Sequence, residues 1–177
     1  MNNIIIYGSK YGTTKKYAEE LSRRTNIEAI SFKDIKEINH YNKIIYLGGI
    51  YAGGVLGMSS TLKKLDDISN KTTILITVGL ADPKDKENIN NIRNNMKRQI
   101  KQEIFEKAKI FHLRGGIDYT KLNVMHKTMM KLLYNAVKKL PEEKKTAEDR
   151  AMIDTYNQKI SFVNFSSLDD IISEIQK

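Results

Sequence analysis

The fold of this chain is decided by one stretch near its start, Ile4-Ile5-Ile6-Tyr7-Gly8-Ser9-Lys10-Tyr11-Gly12-Thr13-Thr14. It begins as an apolar run of strand length and changes into a loop of hydroxyl groups and glycines. A helical pattern follows at once, because Tyr17, Ala18 and Leu21 are spaced to share one buried helix face. The stretch therefore predicts a strand, a tight turn and a helix in direct succession.

The turn in this unit has the chemistry of a phosphate site. The first-turn N–H groups of a helix have no intrahelical partner, and the helix dipole adds partial positive charge there. Ser9, Thr13 and Thr14 can each donate a hydroxyl hydrogen bond, and Gly12 lets the backbone approach an anion closely. The alternative is an ordinary strand–helix turn with hydroxyl caps, which is common before helices.

Composition excludes several classes of protein. Apolar residues make up 40% of the 177 residues and charged residues 29%, which is typical of one soluble globular domain. The absence of cysteine excludes disulfides, a thiolate nucleophile and cysteine-bound metals. His40, His112 and His126 lack metal-ligand spacing, so no metal site is expected. Neither a membrane-spanning run nor a signal peptide is recognisable, so the expected compartment is the cytoplasm.

The net charge of +9 leaves three kinds of partner open, namely nucleic acid, an anionic membrane surface and acidic partners. The basic residues are spread along the chain, and no nucleic-acid motif accompanies them. We therefore expect no nucleic-acid binding.

Strand and helix patterns alternate along the chain. Further strands are predicted at 28–32, 43–47, 72–78 and 109–113. Leu62 and Leu65 mark a modest helix after the third strand. A long helix, with Pro83 at its first position and Ile104 near its end, precedes the fifth strand. This alternation predicts an α/β fold with a parallel sheet and crossover helices.

The glycines point to one edge of that sheet. All ten lie at or just beyond the carboxyl end of a predicted strand: Gly8, Gly12, Gly48, Gly49, Gly53, Gly54, Gly57, Gly79, Gly115 and Gly116. Ligands of open α/β sheets bind outside the carboxyl ends of the strands, so the pattern favours a ligand site there.

The chain is predicted to be a single domain, 1–177, with a helical insertion at 115–159. One helix of the insertion ends at Pro141 and has a broad apolar face: Leu122, Met125, Met129, Leu132, Leu133, Ala136 and Leu140. Lysines lie opposite this face. The helix either covers the core or lies on an anionic membrane. Residues 144–150 are predicted to be exposed, and Ser167 to cap a final helix.

With these residues identified, the chain resembles the flavodoxin family over nearly its whole length. Gly8 to Thr14 is similar to that family's phosphate loop, in which a hydroxyl residue is followed by two positions, Gly, one position and Thr. The resemblance implies a flavodoxin-like, doubly wound, five-stranded parallel sheet of order 2-1-3-4-5, and FMN as the cofactor.

The resemblance also implies three groups of cofactor contacts. The FMN phosphate would be held by Ser9, Lys10, Tyr11, Gly12, Thr13 and Thr14. One flavin face would be lined by Gly49, Ile50, Tyr51, Ala52 and Gly53. A second flavin loop would include Gly79, Leu80 and Ala81, where the chain departs from the pattern: many flavodoxins carry a stacking tyrosine in the region of Leu80 and Ala81.

Within the family, the length and the late insertion are similar to the menaquinone-dependent protoporphyrinogen dehydrogenases, as is the run Gly115-Gly116-Ile117-Asp118-Tyr119. This implies an FMN-dependent oxidoreductase that oxidises a porphyrinogen or another reduced organic substrate and passes electrons to a quinone. A peripheral contact with the inner face of the membrane would follow. The alternative is a flavodoxin-type electron carrier, which has a redox partner but no substrate of its own. No residue is assigned as catalytic.

Overall fold

The computed structural model describes residues 2–51 and 53–177, so the expected cofactor contact of Ala52 lies outside the described residues. The central sheet consists of β1 (Asn3–Gly8), β2 (Ala29–Ser31), β3 (Lys43–Tyr51), β4 (Gly54–Val55), β5 (Thr72–Gly79) and β6 (Lys109–Arg114). The order β2-β1-β3-β5-β6 is parallel throughout, while β4 pairs antiparallel with the end of β3. When β4 is left out and the five parallel strands are renumbered along the chain, this is the predicted order 2-1-3-4-5. The additional strand β4 was not predicted, because two residues are too few to show an alternating pattern.

The helices that follow in the chain are α1 (Thr13–Thr25), α2 (Met58–Leu62), α3 (Lys86–Gln99), α4 (Gln102–Lys107), α5 (Val124–Lys138), α6 (Ala147–Asp154) and α7 (Asp169–Ile175). Short 3₁₀ turns cover Tyr119–Lys121, Glu142–Lys144 and Phe165–Leu168. A separate antiparallel pair joins β7 (Gly116–Asp118) to β8 (Lys159–Ser161).

Successive strand residues point to opposite faces of the sheet and so build two cores. Ile5 and Ile45 pack in the core under α1 and α7, with Tyr17 and Leu21 of α1 buried there. On the opposite face, Ile4 and Ile6 of β1 and Ile44 and Tyr46 of β3 pack in the core under α2, α3 and α4. This double cover explains why the strands read as near-continuous apolar runs.

Three details of the predicted helices were wrong. Pro83 does not start a helix: α3 begins at Lys86, and Asp85 caps it by accepting a hydrogen bond from the Asn88 N–H. The long helix is two helices, because Ile100 is extended and separates α3 from α4. Ser167 does not cap the last helix: among the described residues no side chain caps α7, and Asn164 caps the preceding 3₁₀ turn by accepting a hydrogen bond from the Ser166 N–H.

The insertion forms a third, separate core. Its buried side chains include Tyr119, Met130, Val137 and Met152, and α5 packs mainly on α6. Most of the apolar face predicted for the helix between Leu122 and Leu140 is not covered by the sheet. Five large apolar side chains on or next to α5 are exposed: Val124, Met125, Leu132, Leu133 and Leu140. Among the described residues, no helix is long and apolar enough to cross a membrane.

Candidate cofactor-binding site

A cavity of about 390 Å³ lies at the carboxyl edge of the sheet. This volume is within the range of small-molecule and cofactor sites. Four segments of the sheet region contribute to its wall: Ser9 to Tyr11 with Thr13 and Thr14, Gly49 to Tyr51 with Gly53, Val78 to Leu80, and Gly115 to Ile117. The insertion lines its remaining side with Met129, Met130, Leu133, Glu148, Asp149 and Met152. The cavity therefore lies where the glycine pattern predicted a ligand site.

The loop between β1 and α1 leaves the helix N-terminus free for an anion. Gly12 has a φ of 88°, a left-handed conformation that favours glycine, and its N–H donates to Ser9 Oγ at 3.1 Å. Among the residues that the structure describes, no side chain caps the first turn of α1. A cradle of unused amide donors at a helix N-terminus is suited to the phosphate of FMN. Thr13 Oγ1 donates to Gly116 O at 3.1 Å, which links this loop to the insertion.

The loop after β3 contributes an aromatic wall. The Lys10 ammonium lies 5.2 Å from the centre of the Tyr51 ring, within the range of a cation–π contact. The Tyr51 hydroxyl contacts Met129 Sδ at 3.1 Å. Tyr51 thus joins the loop between β1 and α1 to α5, and the aromatic residue predicted to line the flavin does face the cavity.

The loop after β5 is held from two sides. Its carbonyl groups are fixed by β6 and the residue after it, since Gly79 O accepts from Gly115 N at 2.7 Å and Leu80 O accepts from Arg114 Nε at 2.9 Å. Its amide groups face α6, because the N–H groups of Leu80 and Ala81 donate to the Glu148 carboxylate at 3.2 and 3.1 Å.

Glu148 was missed by the sequence reasoning, which predicted residues 144–150 to be exposed. A signal for it was present, because Thr146 and Asp149 have the spacing of a helix-capping box. In the structure Thr146 Oγ1 accepts from Asp149 N at 3.1 Å, and Asp149 Oδ2 accepts from Thr146 N at 2.9 Å. The box starts α6 and turns its second residue, Glu148, into the cavity.

Two tyrosine hydroxyls beside the cavity have no hydrogen-bond partner among the described residues: those of Tyr11 and Tyr119. Burial raises the pKa of Tyr11, and the neighbouring Tyr51 adds to the effect. Burial, together with Tyr156 and Tyr11, raises the pKa of Tyr119 to about 12. Both groups are therefore neutral phenols at physiological pH and can donate hydrogen bonds.

The structure brings most of the predicted contacts together. Those that line the cavity are Ser9, Lys10, Tyr11, Thr13, Thr14, Gly49, Ile50, Tyr51, Gly53, Gly79 and Leu80. Gly12 and Ala81 do not line it: Gly12 shapes the turn, and Ala81 is buried behind its bond to Glu148. That any of these residues holds a cofactor remains a prediction. Within residues 2–51 and 53–177, no group of three or more acidic or histidine side chains is placed to hold a metal ion.

Comparisons with known proteins place this geometry in context. A family model described as Flavodoxin domain matches residues 4–145, most of the chain. A search of curated proteins finds no match.

Among solved structures, a flavoprotein in complex with FMN from Lactobacillus acidophilus is 13% identical, with a TM-score of 0.44 over 64% of this chain and 92% of that chain. A flavodoxin from the domain Archaea is 15% identical, with a TM-score of 0.43 over 64% and 83%. A mutant flavodoxin from Pseudomonas aeruginosa is 14% identical, with a TM-score of 0.41 over 75% and 93%. The family assignment rests on the family match and agrees with the strand order, so it does not depend on these low scores.

Proposed function

The chain belongs to the flavodoxin domain family, and on that premise we propose that it is an FMN-dependent oxidoreductase. The observation that carries the proposal is the cavity itself. It joins an uncapped helix N-terminus, two loops at the strand ends and an apolar roof from the insertion around one cleft. When bound, FMN would supply the redox chemistry, accepting and passing on electrons one or two at a time.

The roof favours an enzyme with an organic substrate. Met129, Met130 and Met152 face the cavity from α5 and α6, and methionine adapts to irregular apolar ligands. The substrate class that suits this wall is large and apolar. We propose a porphyrinogen or another reduced organic molecule as electron donor and a quinone as acceptor. A partner that only exchanges electrons needs no such roof.

The alternative is a flavodoxin-type electron carrier without its own substrate. It needs only the loop sites at the carboxyl edge of the sheet. The net charge of +9 argues against a low-potential carrier, because a positive field stabilises added negative charge on a reduced flavin.

We further propose that the insertion meets an anionic membrane surface. Between residues 119 and 141 the chain has five lysines and no acidic residue. Within the described residues, five of the six exposed large apolar side chains lie between 124 and 140. An exposed apolar face flanked by lysines is typical of helices that lie in the lipid interface. Leu133 both lines the cavity and is 44% exposed, so a lipid-soluble substrate would have a short path from the bilayer.

The first experiment is an anaerobic reductive titration of FMN-loaded protein, followed by visible absorption. Reduction in one two-electron step is the expected result for the oxidoreductase, whereas two separated one-electron steps would favour the carrier. Failure to retain FMN after desalting would overturn both. Thr14→Val, which removes a buried hydroxyl from the loop, is expected to weaken FMN binding. Thr128→Val, on the exposed surface of α5, serves as the matched control.

The membrane contact is tested by co-sedimentation with anionic vesicles at low salt. Replacing Lys131 and Lys138 by Glu should weaken binding, since each lysine near an anionic surface contributes about 1 kcal/mol. Replacing Lys33 and Lys36 by Glu alters the net charge equally on another surface and should leave more binding intact. Equal losses in the two double variants would show that only net charge matters and would contradict docking through α5.

A further inference from the structure

The Glu148 carboxylate occupies two backbone donors at the edge of the cavity. Its two oxygens accept separately from the N–H groups of Leu80 and Ala81, at 3.2 and 3.1 Å. The carboxylate also lies against the loop itself: a Cβ added at Gly79 would lie 2.3 Å from Glu148 Oε1. The acidic side chain thus fills the position from which any cavity ligand would reach these two amides.

The carbonyl side of the loop is held by contacts that do not involve Glu148. Gly115 N binds the carbonyl of Gly79, and Arg114 Nε binds the carbonyl of Leu80. The Arg114 guanidinium is itself stacked 3.6 Å from the centre of the Phe162 ring. With the carbonyl side of the loop held in this way, the carboxylate is left with one evident role. It satisfies two amide donors that would otherwise face an apolar cavity unpaired.

Glu148 is also presented by a well-defined element. The capping box of Thr146 and Asp149 fixes the first turn of α6, in which Glu148 is the second residue. Burial in the cavity raises the pKa of Glu148, with Asp149 adding to the rise; the two amide bonds and the Arg114 guanidinium offset it in part. The carboxylate therefore carries a desolvation cost that its release toward solvent would relieve.

We propose that the Glu148 carboxylate takes the place of hydrogen-bond acceptor atoms of the cofactor, and that cofactor binding displaces it from the Leu80 and Ala81 amides. The inference rests on the proposed FMN function. The acceptor atoms of the bound cofactor take over the two amides, and the carboxylate turns out of the cavity. Glu148 therefore lowers the affinity of the protein for the cofactor, because part of the binding free energy is used to displace its carboxylate from the two amides.

The test measures the equilibrium dissociation constant of FMN, by quenching of its fluorescence, for the wild type, Glu148→Ala and Glu148→Gln. Removing a competing charged hydrogen-bond acceptor should tighten FMN binding about tenfold in Glu148→Ala, with Glu148→Gln between it and the wild type. Asp154→Ala removes an exposed carboxylate from the other end of the same helix and should bind FMN as the wild type does.

Hydrogen exchange at the Leu80 and Ala81 amides gives a readout independent of redox activity. Without FMN, these amides should be protected in the wild type and exchange faster in Glu148→Ala; with FMN bound, they should be protected in both. If FMN binds but Glu148→Ala binds it no more tightly than the wild type, the inference about Glu148 fails while the proposed function stands. If the folded wild type binds no FMN, the proposed function fails instead.

Discussion

Helices α1 and α5 have similar periodic apolar patterns, but the structure uses them in opposite ways. In α1, Tyr17, Ala18 and Leu21 are fully buried between the sheet and α7. In α5, Met125 is 69% exposed and Leu132 is 67% exposed. Periodicity thus identified both helices and their apolar faces, but it carried no information about what covers each face.

The difference follows from the position of each helix in the topology. A crossover helix such as α1 connects two neighbouring parallel strands and must pack on the sheet between them. The insertion follows the last parallel strand, so no crossover forces α5 onto the sheet. It rests on α6 and over the cavity, and only the narrow stripe that includes Met130 and Val137 is buried. The remaining apolar surface is available for a partner.

The largest expected effect is a contrast in stability between the two regions. Ile45→Ala, at a fully buried position in the sheet, should lower the free energy of unfolding by about 2–5 kcal/mol, because it leaves a cavity in a close-packed core. Leu132→Ala, on the exposed face of α5, should change it by less than about 0.5 kcal/mol. Urea denaturation measures both. A large loss for Leu132→Ala would mean that α5 is covered in solution, for example by a second copy of the chain.

The second prediction, with a smaller expected effect on stability, is that the sheet folds without the insertion. Gly116 and Ser161 are directly paired, so Asn-Gly can replace residues 117–160 as a two-residue hairpin loop. The two cores of the sheet contain no residue of the replaced segment, and the shortened chain should therefore unfold in one cooperative transition. Circular dichroism during thermal unfolding measures this. A broad, non-cooperative transition would show that the insertion is part of the folding unit, and Ile45→Ala in the shortened chain provides the control for a packed core.

The smallest expected effect is the pH dependence of stability that a buried histidine of the sheet contributes. His112 lies in β6 with Nδ1 2.7 Å from Thr77 Oγ1; burial and the nearby Arg93 lower its pKa to about 4. Below about pH 6.5 this histidine is protonated in the unfolded chain, whereas in the folded chain it stays neutral until the pH approaches about 4. Its contribution to stability should therefore fall progressively as the pH drops from about 6.5 to about 4.

His112→Gln should reduce this dependence, because the variant side chain does not titrate. Urea midpoints at pH 7 and pH 5 for the two proteins measure it. An identical pH dependence in both would mean that the acid sensitivity comes from elsewhere, such as the carboxylates of the insertion.

Much of the fold was predictable because its signals are local. The apolar run from Ile4 to Tyr7, the hydroxyl loop and the helix after Thr14 are adjacent in sequence, and the structure forms them as β1, a turn and α1. The break at Ile100 was not predictable from the spacing of apolar residues, since Met96, Ile100 and Ile104 continue one helical period across it. Only the φ and ψ of the folded chain show that Ile100 is extended.

The flavodoxin resemblance implied the strand order and most of the residues gathered at the site, while the sequence by itself determined the edge of the sheet that carries it. It could do so because parallel strands bring their carboxyl ends to one edge wherever loop residues follow them. Tertiary structure alone decided that α6 turns Glu148 onto the Leu80 and Ala81 amides, and that α5 leaves its apolar face uncovered. The contacts of Glu148 and of Met129 in α5 join residues 67 to 78 positions apart in the chain, and no local periodicity encodes such contacts.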